Sequence, residues 1–371
     1  MGLEEEIEEL EREIAETPYN KATEEHIGRL KAKLAEKKEE LETRQQASSG
    51  GGGGYAVEQT GDATVALVGF PSVGKSTLIN ALTNADAEVG SYEFTTLDVN
   101  PGMLKYRGAD IQLLDVPGIV EGAAAGAGGG REVLSVIRTA DLLVFLLSVF
   151  EIDQYERLRE ELYRNKIRLD TEPPNVHITK KGKGGIDVNA SGDLTLDEET
   201  VQEVLREHGF VNADVTIRGD PDIDELIDGV MDNRVYLPSL VAVNKVDLVD
   251  DSYLADVREQ LSSMGVDPDS ALYLSAEEGS GLSTFQERLW DELELVRVYM
   301  DKPGEGVDYE EPVILRKGET VDDALRKLGG TFDERFRFAR VSGPSAKHDE
   351  QQVGREHVLQ DEDVLRIVAR R

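Results

Sequence analysis

Apolar positions divide the chain into three textures. Over residues 1–46, Ile7, Leu10 and Ile14 recur at i, i+3 and i+7, and Ile27, Leu30 and Leu34 repeat the spacing among dense Glu and Lys. Each set predicts a helix with one apolar face. Thr17-Pro18-Tyr19-Asn20 supplies a turn between them, so the segment is expected to be a helical hairpin. The run SSGGGGG at 48–54 is a flexible low-complexity linker that would let this arm move.

From residue 63 the pattern changes to apolar runs alternating with amphipathic stretches. ATVALVG (63–69), IQLLDV (111–116), LLVFLLSV (142–149), SLVAVN (239–244) and ALYLSA (271–276) read as buried strands. Their alternation with helical patterns predicts an α/β domain, a mostly parallel sheet with helices on both faces. Residues 151–237 break the rhythm with Pro173-Pro174, a KKGKGG cluster at 180–185 and short mixed segments, and read as an inserted α+β subdomain. Beyond residue 305, PVILRKGETVDDALRKL reads as strand, turn and helix, with Thr320-x-x-Asp323 as a capping-box-like start. FRFARV (336–341) and VLRIVA (364–369) complete a small sheet on one helix. The expected domains are 1–54, then 55–150 with 238–300, then 151–237 inserted, and 305–371.

Composition refines this picture. A chain of 371 residues suits roughly two or three domains, and 39% hydrophobic residues suffice for a core. No apolar run approaches a membrane span, and MGLEEEIEEL has neither a basic start nor an apolar stretch, so a cytoplasmic protein without membrane partners is expected. With no cysteine, disulfides and thiolate metal sites are excluded. Asp plus Glu number 75 against 41 Lys plus Arg, a net charge of −34. Such a surface repels itself in dilute buffer, and the repulsion fades when salt shortens the Debye length to about 3 Å. A salt-adapted protein is expected, and a poor general binder of nucleic acid at low salt.

The strongest chemical signal is GFPSVGKS at 69–76, a Gly-x4-Gly-Lys-Ser string between a predicted strand and the helix TLINALTN. Gly69, Pro71, Ser72, Val73, Gly74, Lys75, Ser76 and Thr77 would cradle phosphates. Lys75 can reach the β- and γ-phosphates, the Ser76 hydroxyl can ligate Mg²⁺, and the helix N-terminus adds partial positive charge. NKVD at 244–247 addresses the base. The Asp247 carboxylate can accept two hydrogen bonds from guanine, a donor pair adenine lacks. Asn244 can brace the loop, the Lys245 stem can cover the ring, and Ser275-Ala276 can offer a backbone N–H to guanine O6. Asp115 and the Gly118 N–H would sense Mg²⁺ and the γ-phosphate. Thr96, with Thr95 as the alternative, offers a further hydroxyl to the metal. Loss of the γ-phosphate would release both segments, and the Gly/Ala run at 122–130 suits a segment that changes conformation. Ile119 stands where many small GTPases carry the glutamine that orients water, so intrinsic hydrolysis should be slow, and Arg131 is a conceivable stabiliser in cis.

GFPSVGKSTLINALT, YEFTTLDVNPG and DVPGIVEGAAAGAGGGREVLSVIRTADLLVF resemble the developmentally regulated GTP-binding protein family of the Obg group. NKATEEHIGRLKAKLA is similar to its helical hairpin, and KHDEQQVGREHVLQDEDVLRIV to its C-terminal TGS domain, a β-grasp fold. The resemblance implies a phosphate-loop GTPase of ribosome or translation function, of archaeal, salt-adapted type, with slow hydrolysis that K⁺ stimulates in some members. It also implies a dedicated stabilising protein partner, as eukaryotic members have, and a ribosomal-protein-like insert at about 151–237. Where potassium-dependent GTPases carry an Asn for the ion, this chain has Ser72, and Ser342 stands where an aromatic residue is expected. The alternatives are a nucleotide-gated binding module with vestigial hydrolysis, and an ATPase, which NKVD disfavours. Lys180, Lys181 and Lys183 could touch RNA, and the five histidines show no metal-ligand spacing.

Overall fold

The structure is a computed structural model and describes residues 2–48, 60–83, 101–116, 136–302, 304–329 and 336–369. The chain forms two compact units, one of residues 1–54 with 166–236, the other of 55–165 with 237–371.

In the first unit, α1 (Leu3–Glu16) and α2 (Glu24–Ser48) form the hairpin, with Ile7, Leu10, Ile27 and Leu30 buried. The rest of this unit contains β5 (Ile167–Leu169), β6 (Asn175–Lys180), β7 (Ile186–Ala190), α5 (Glu198–Glu207), β8 (Ala213–Arg218), α6 (Ile223–Met231) and β9 (Val235–Leu237). Strand order is β6-β8-β7, with β5 and β9 pairing as a ribbon. The hairpin is packed on this subdomain, because Ile27 and Ala32 share a core with Val201, Val204, Leu205, Val215 and Leu226. Glu24, one acid in a Glu-rich helix, is only 3% exposed and accepts the Asp197 N–H (2.9 Å) and the Thr200 hydroxyl (3.3 Å). Asp228, 6% exposed, holds two arginines. Arg168 bonds it through Nε (2.6 Å) and Nη2 (3.0 Å), and Arg234 through Nε (2.6 Å).

The second unit is built on a six-stranded sheet of order β11-β10-β4-β1-β3-β2. Its strands are β1 (Ala63–Val68), β2 (Pro101–Tyr106), β3 (Ala109–Asp115), β4 (Leu142–Ser148), β10 (Ser239–Asn244) and β11 (Leu272–Tyr273). All pairings are parallel except the edge pair β2–β3. β1 and β4 are buried along their whole length, as central parallel strands require. The helices are α3 (Lys75–Leu82), α4 (Gln154–Arg164), α7 (Asp251–Ser263) and α8 (Leu282–Glu292). Residues 151–165 thus lie with this unit rather than with the insert.

A second sheet of order β13-β12-β16-β14-β15 follows, formed by β12 (Leu295–Lys302), β13 (Gly306–Arg316), β14 (Phe336–Ser342), β15 (Gln351–Val353) and β16 (Asp363–Ala369). It packs on α9 (Val321–Leu328) through Val298, Leu315, Val321, Leu325, Val341 and Leu365. The capping pattern at Thr320 is present, its N–H and hydroxyl each 2.8 Å from the Asp323 carboxylate. Because β12 pairs with β13 and β16, this module starts at Leu295, ahead of the 305 read from the sequence.

Candidate functional site

The C-terminal ends of β1, β3 and β10 bring the sequence motifs together. β1 runs into Gly69–Gly74, and α3 begins at Lys75. The loop has two close approaches that only glycine permits. A Cβ on Gly69 would lie 2.3 Å from the Leu146 carbonyl oxygen, and one on Gly74, at φ 103°, 2.3 Å from Asn244 Nδ2.

Lys75 folds back over the loop. Its Nζ donates to the carbonyls of Gly69 (2.9 Å) and Phe70 (3.3 Å) and lies 3.8 Å from Asp115 Oδ1. Burial lowers its pKa below the lysine norm, and the Asp115 charge opposes the shift. The Ser76 hydroxyl donates to Asp115 Oδ2 over 2.7 Å, so the phosphate loop and the end of β3 already touch. Asp115 Oδ1 is buried and makes no hydrogen bond among the described residues. A hydroxyl and a half-satisfied carboxylate side by side suit a hard cation that takes oxygen ligands, such as Mg²⁺. Among the described residues no preformed cluster of three metal-ligating side chains exists.

The NKVD segment is wired to the phosphate loop. Asn244, 2% exposed, donates from Nδ2 to the Val73 carbonyl (2.8 Å) and accepts the Ala276 N–H at Oδ1 (2.9 Å). Lys245, at φ 67°, donates to the Ser72 carbonyl over 2.6 Å, and Ser72 is itself at φ 66°. Asp247 is exposed. The Ser275 N–H donates to Ser280 (3.0 Å), so reading of guanine O6 by Ser275-Ala276 needs the Ala276 N–H to be shared with Asn244 or released from it. Pro71 and Ser72 are exposed on the loop and Thr77 on the first turn of α3, while Val73 is buried beneath the loop.

Thr95, Thr96, Gly118, Ile119 and Arg131 lie outside the described residues. The lysine cluster is largely spent internally. Lys181 sits between Asp187 and Asp214, and Lys180 lies 5.1 Å from the Phe210 ring, leaving Lys183 exposed. No helix among the described residues is long and apolar enough to cross a membrane. Sequence reasoning missed the Ser76–Asp115 bond and the Lys245–Ser72 bond, because both join segments far apart in the chain.

A phosphate loop joined to an NKVD loop at the carboxyl ends of a parallel sheet defines a P-loop GTP-binding protein. Residues 64–181 match the 50S ribosome-binding GTPase family, 183–295 the C-terminal region of the MMR_HSR1 domain, and 296–369 the TGS domain. An uncharacterized GTP-binding protein of Halobacterium salinarum is 71% identical over 371 residues, 100% of both chains. One of Methanocaldococcus jannaschii is 50% identical over 100% of this chain and 94% of its own. Developmentally-regulated GTP-binding protein 2 of Bos taurus is 42% identical over 99% of this chain and 100% of its own. The chain belongs to the developmentally regulated GTP-binding protein family, with a GTPase domain and a C-terminal TGS domain. The salt-adapted reading of its charge agrees with the Halobacterium relative.

Proposed function

We propose that this protein is a Mg²⁺-dependent GTPase switch that serves the ribosome or translation. The observation that carries the reading is the bridge of Asn244 between Val73 and Ala276, which joins the phosphate end and the base end of one nucleotide site. Lys75 would leave its two carbonyl partners for the β- and γ-phosphates. The exposed Asp247 carboxylate would take the guanine edge, with the Lys245 stem along the ring. Ser76 and Asp115 would hold Mg²⁺, joined by Thr96, and Gly118 would bond the γ-phosphate. Bound Mg²⁺ supplies charge neutralisation on the phosphates. Hydrolysis to GDP and phosphate is slow unaided, since Ile119 cannot orient water. K⁺ at Ser72, or a partner protein, would supply acceleration.

The helical arm, the insert or the TGS domain would present the surface for ribosome or RNA. The relatives are named for GTP binding, and the matching family is described as ribosome-binding, which supports this assignment. A nucleotide-gated module with vestigial hydrolysis is the second reading, favoured by Ile119. The test is turnover of labelled GTP with Mg²⁺ in molar KCl and in molar NaCl, alongside co-sedimentation with ribosomes in GDP and in a non-hydrolysable GTP analogue. Turnover with analogue-dependent co-sedimentation supports the switch. Tight binding without turnover selects the module, and absence of GTP binding overturns both.

A further inference from the structure

The TGS module meets the N-terminal ends of β1, β3 and β4, opposite the phosphate loop and Asp115 at the C-terminal ends of β1 and β3. Asp62, just before β1, accepts the Asp110 N–H (3.0 Å) and lies 3.7 Å from Lys327 of α9. Asp141, just before β4, accepts the Thr64 N–H (2.8 Å) and pairs with Arg316 of β13 (2.6 Å). The third footing is the turn between β2 and β3. Arg107 and Gly108 have φ of 51° and 84°, the positive pair a type I′ hairpin needs. A Cβ on Gly108 would sit 2.5 Å from Pro312 Cγ of β13. The Arg107 guanidinium lies 5.6 Å from the Trp290 ring and 3.6 Å from Glu287. Arg297 of β12 approaches the same Trp290 at 5.7 Å and is bonded to Asp361. Burial pushes the Asp361 carboxyl up, but Arg297, with Arg107 adding to it, holds it below the ordinary range.

We infer that the β2–β3 hairpin is a lever that couples the nucleotide at Asp115 to the seating of the TGS module at the Arg107–Gly108 turn, where Gly108 meets Pro312 and Arg107 shares Trp290 of α8 with Arg297 of β12. The inference rests on the nucleotide reading above. β3 ties the two ends together without interruption. Asp115 touches Ser76 and Lys75 at one end, and Arg107 and Gly108 touch Trp290 and Pro312 at the other. Seven residues of β3 span roughly 23 Å at about 3.3 Å each. The hairpin is a paired ribbon from Pro101↔Leu114 to Tyr106↔Ala109, so displacement at one end is carried to the other. The partly exposed pairs Arg316–Asp141, Lys327–Asp62 and Arg107–Glu287 weaken as salt rises, whereas the close approach of Gly108 to Pro312 persists, which leaves the hairpin turn as the salt-resistant link. Reciprocity follows. Whatever loads the TGS module changes the preference for GTP over GDP, and the nucleotide changes the module's seat.

The test is hydrogen exchange of the full chain with GDP and with a non-hydrolysable GTP analogue, in molar KCl. Protection at 295–300 and 312–316 is expected to differ between the two nucleotides. In Arg107→Ala that difference should vanish, and the ratio of analogue to GDP affinity should shift about fivefold or more. Pro312→Ala is the second variant and should act in the same direction if Arg107→Ala does not fold. Identical protection in both nucleotides, or a wild-type affinity ratio in the folded variants, overturns the lever. Normal GTP binding with those results leaves the nucleotide reading standing, while loss of all GTP binding in the wild type fails that reading instead.

Discussion

Asn244 donates its side-chain amide to the carbonyl oxygen of Val73 across 2.8 Å, tying the NKVD loop to the phosphate loop. Both residues are buried, and the same side chain accepts the Ala276 N–H over 2.9 Å. Asn244→Ala would strand a buried carbonyl and a buried N–H. Each costs about 1–3 kcal/mol. The variant should therefore melt several degrees lower and bind GDP more than tenfold more weakly, by thermal unfolding and calorimetry. Unchanged stability would mean that solvent replaces the bridge without cost.

The exposed Asp247 makes a different prediction. Asp247→Asn replaces an acceptor pair by a donor and an acceptor, which suits the 2-oxo group of xanthine. Competition binding should show preference moving from guanosine to xanthosine nucleotides by about one to two orders of magnitude, the scale of about 1–3 kcal/mol for a hydrogen-bonding group left without its partner. A variant that still selects guanosine would remove Asp247 from base recognition.

These two loops were legible in the sequence because each carries its chemistry within eight residues or fewer, and both follow strands marked by apolar runs. The unread parts depend on distant partners. β2, PGMLKY, has no clean alternation and becomes a strand through its register with β3. β12, LVRVYMDK, alternates as a strand should, yet only pairing with β16 assigns it to the C-terminal sheet. Glu24 reads as one solvated acid among many, but it is buried because Asp197 and Thr200 come from more than 170 residues away. The hairpin and the insert read as separate domains, whereas Ile27 and Ala32 pack into the core of the insert.

Lys75 gives a pH signature. Burial lowers its pKa from the ordinary 10.5. The folded state thus favours neutral lysine, so the charged form costs stability at neutral pH, and that cost shrinks as pH rises from the lowered value toward 10.5. Lys75→Met should therefore keep or raise the melting point of the nucleotide-free protein while abolishing tight GTP binding. Phosphate would restore the charge, so GTP binding should take up protons at pH values above the lowered pKa of the free protein and weaken as pH rises further. Calorimetry in two buffers of different ionisation enthalpy reads the uptake directly. A proton count of zero would separate Lys75 from the phosphates.

Asp228 bears on the first compact unit alone. Arg168 and Arg234 share its carboxylate at 2.6–3.0 Å, and all three side chains are at most 12% exposed. Asp228→Ala removes the carboxylate that both guanidiniums share. Breaking a buried pair this way typically costs about 3–5 kcal/mol. Denaturant unfolding should show that loss. GDP affinity should stay near wild type, because the phosphate loop lies in the other unit.

The net charge of −34 sets the solvent in which all of this should be measured. At about 0.1 M salt the Debye length is roughly 10 Å, and at 1 M roughly 3 Å. Screening removes repulsion between carboxylates spread over the whole surface. It also weakens attractive pairs, but exposed pairs such as Arg258–Asp269 and Arg340–Glu350 are worth only about 0–1 kcal/mol each. The buried pairs at Asp228 are screened much less. The balance therefore favours folding as salt rises. A gain of ~3 kcal/mol between dilute buffer and molar KCl corresponds to a rise of roughly 6–12 °C in melting temperature. NaCl should act equally on the nucleotide-free protein, since screening does not distinguish the two cations, so any excess effect of KCl should appear only with nucleotide bound. A melting temperature that stays flat across this range would show that the surface charge is already balanced within the fold.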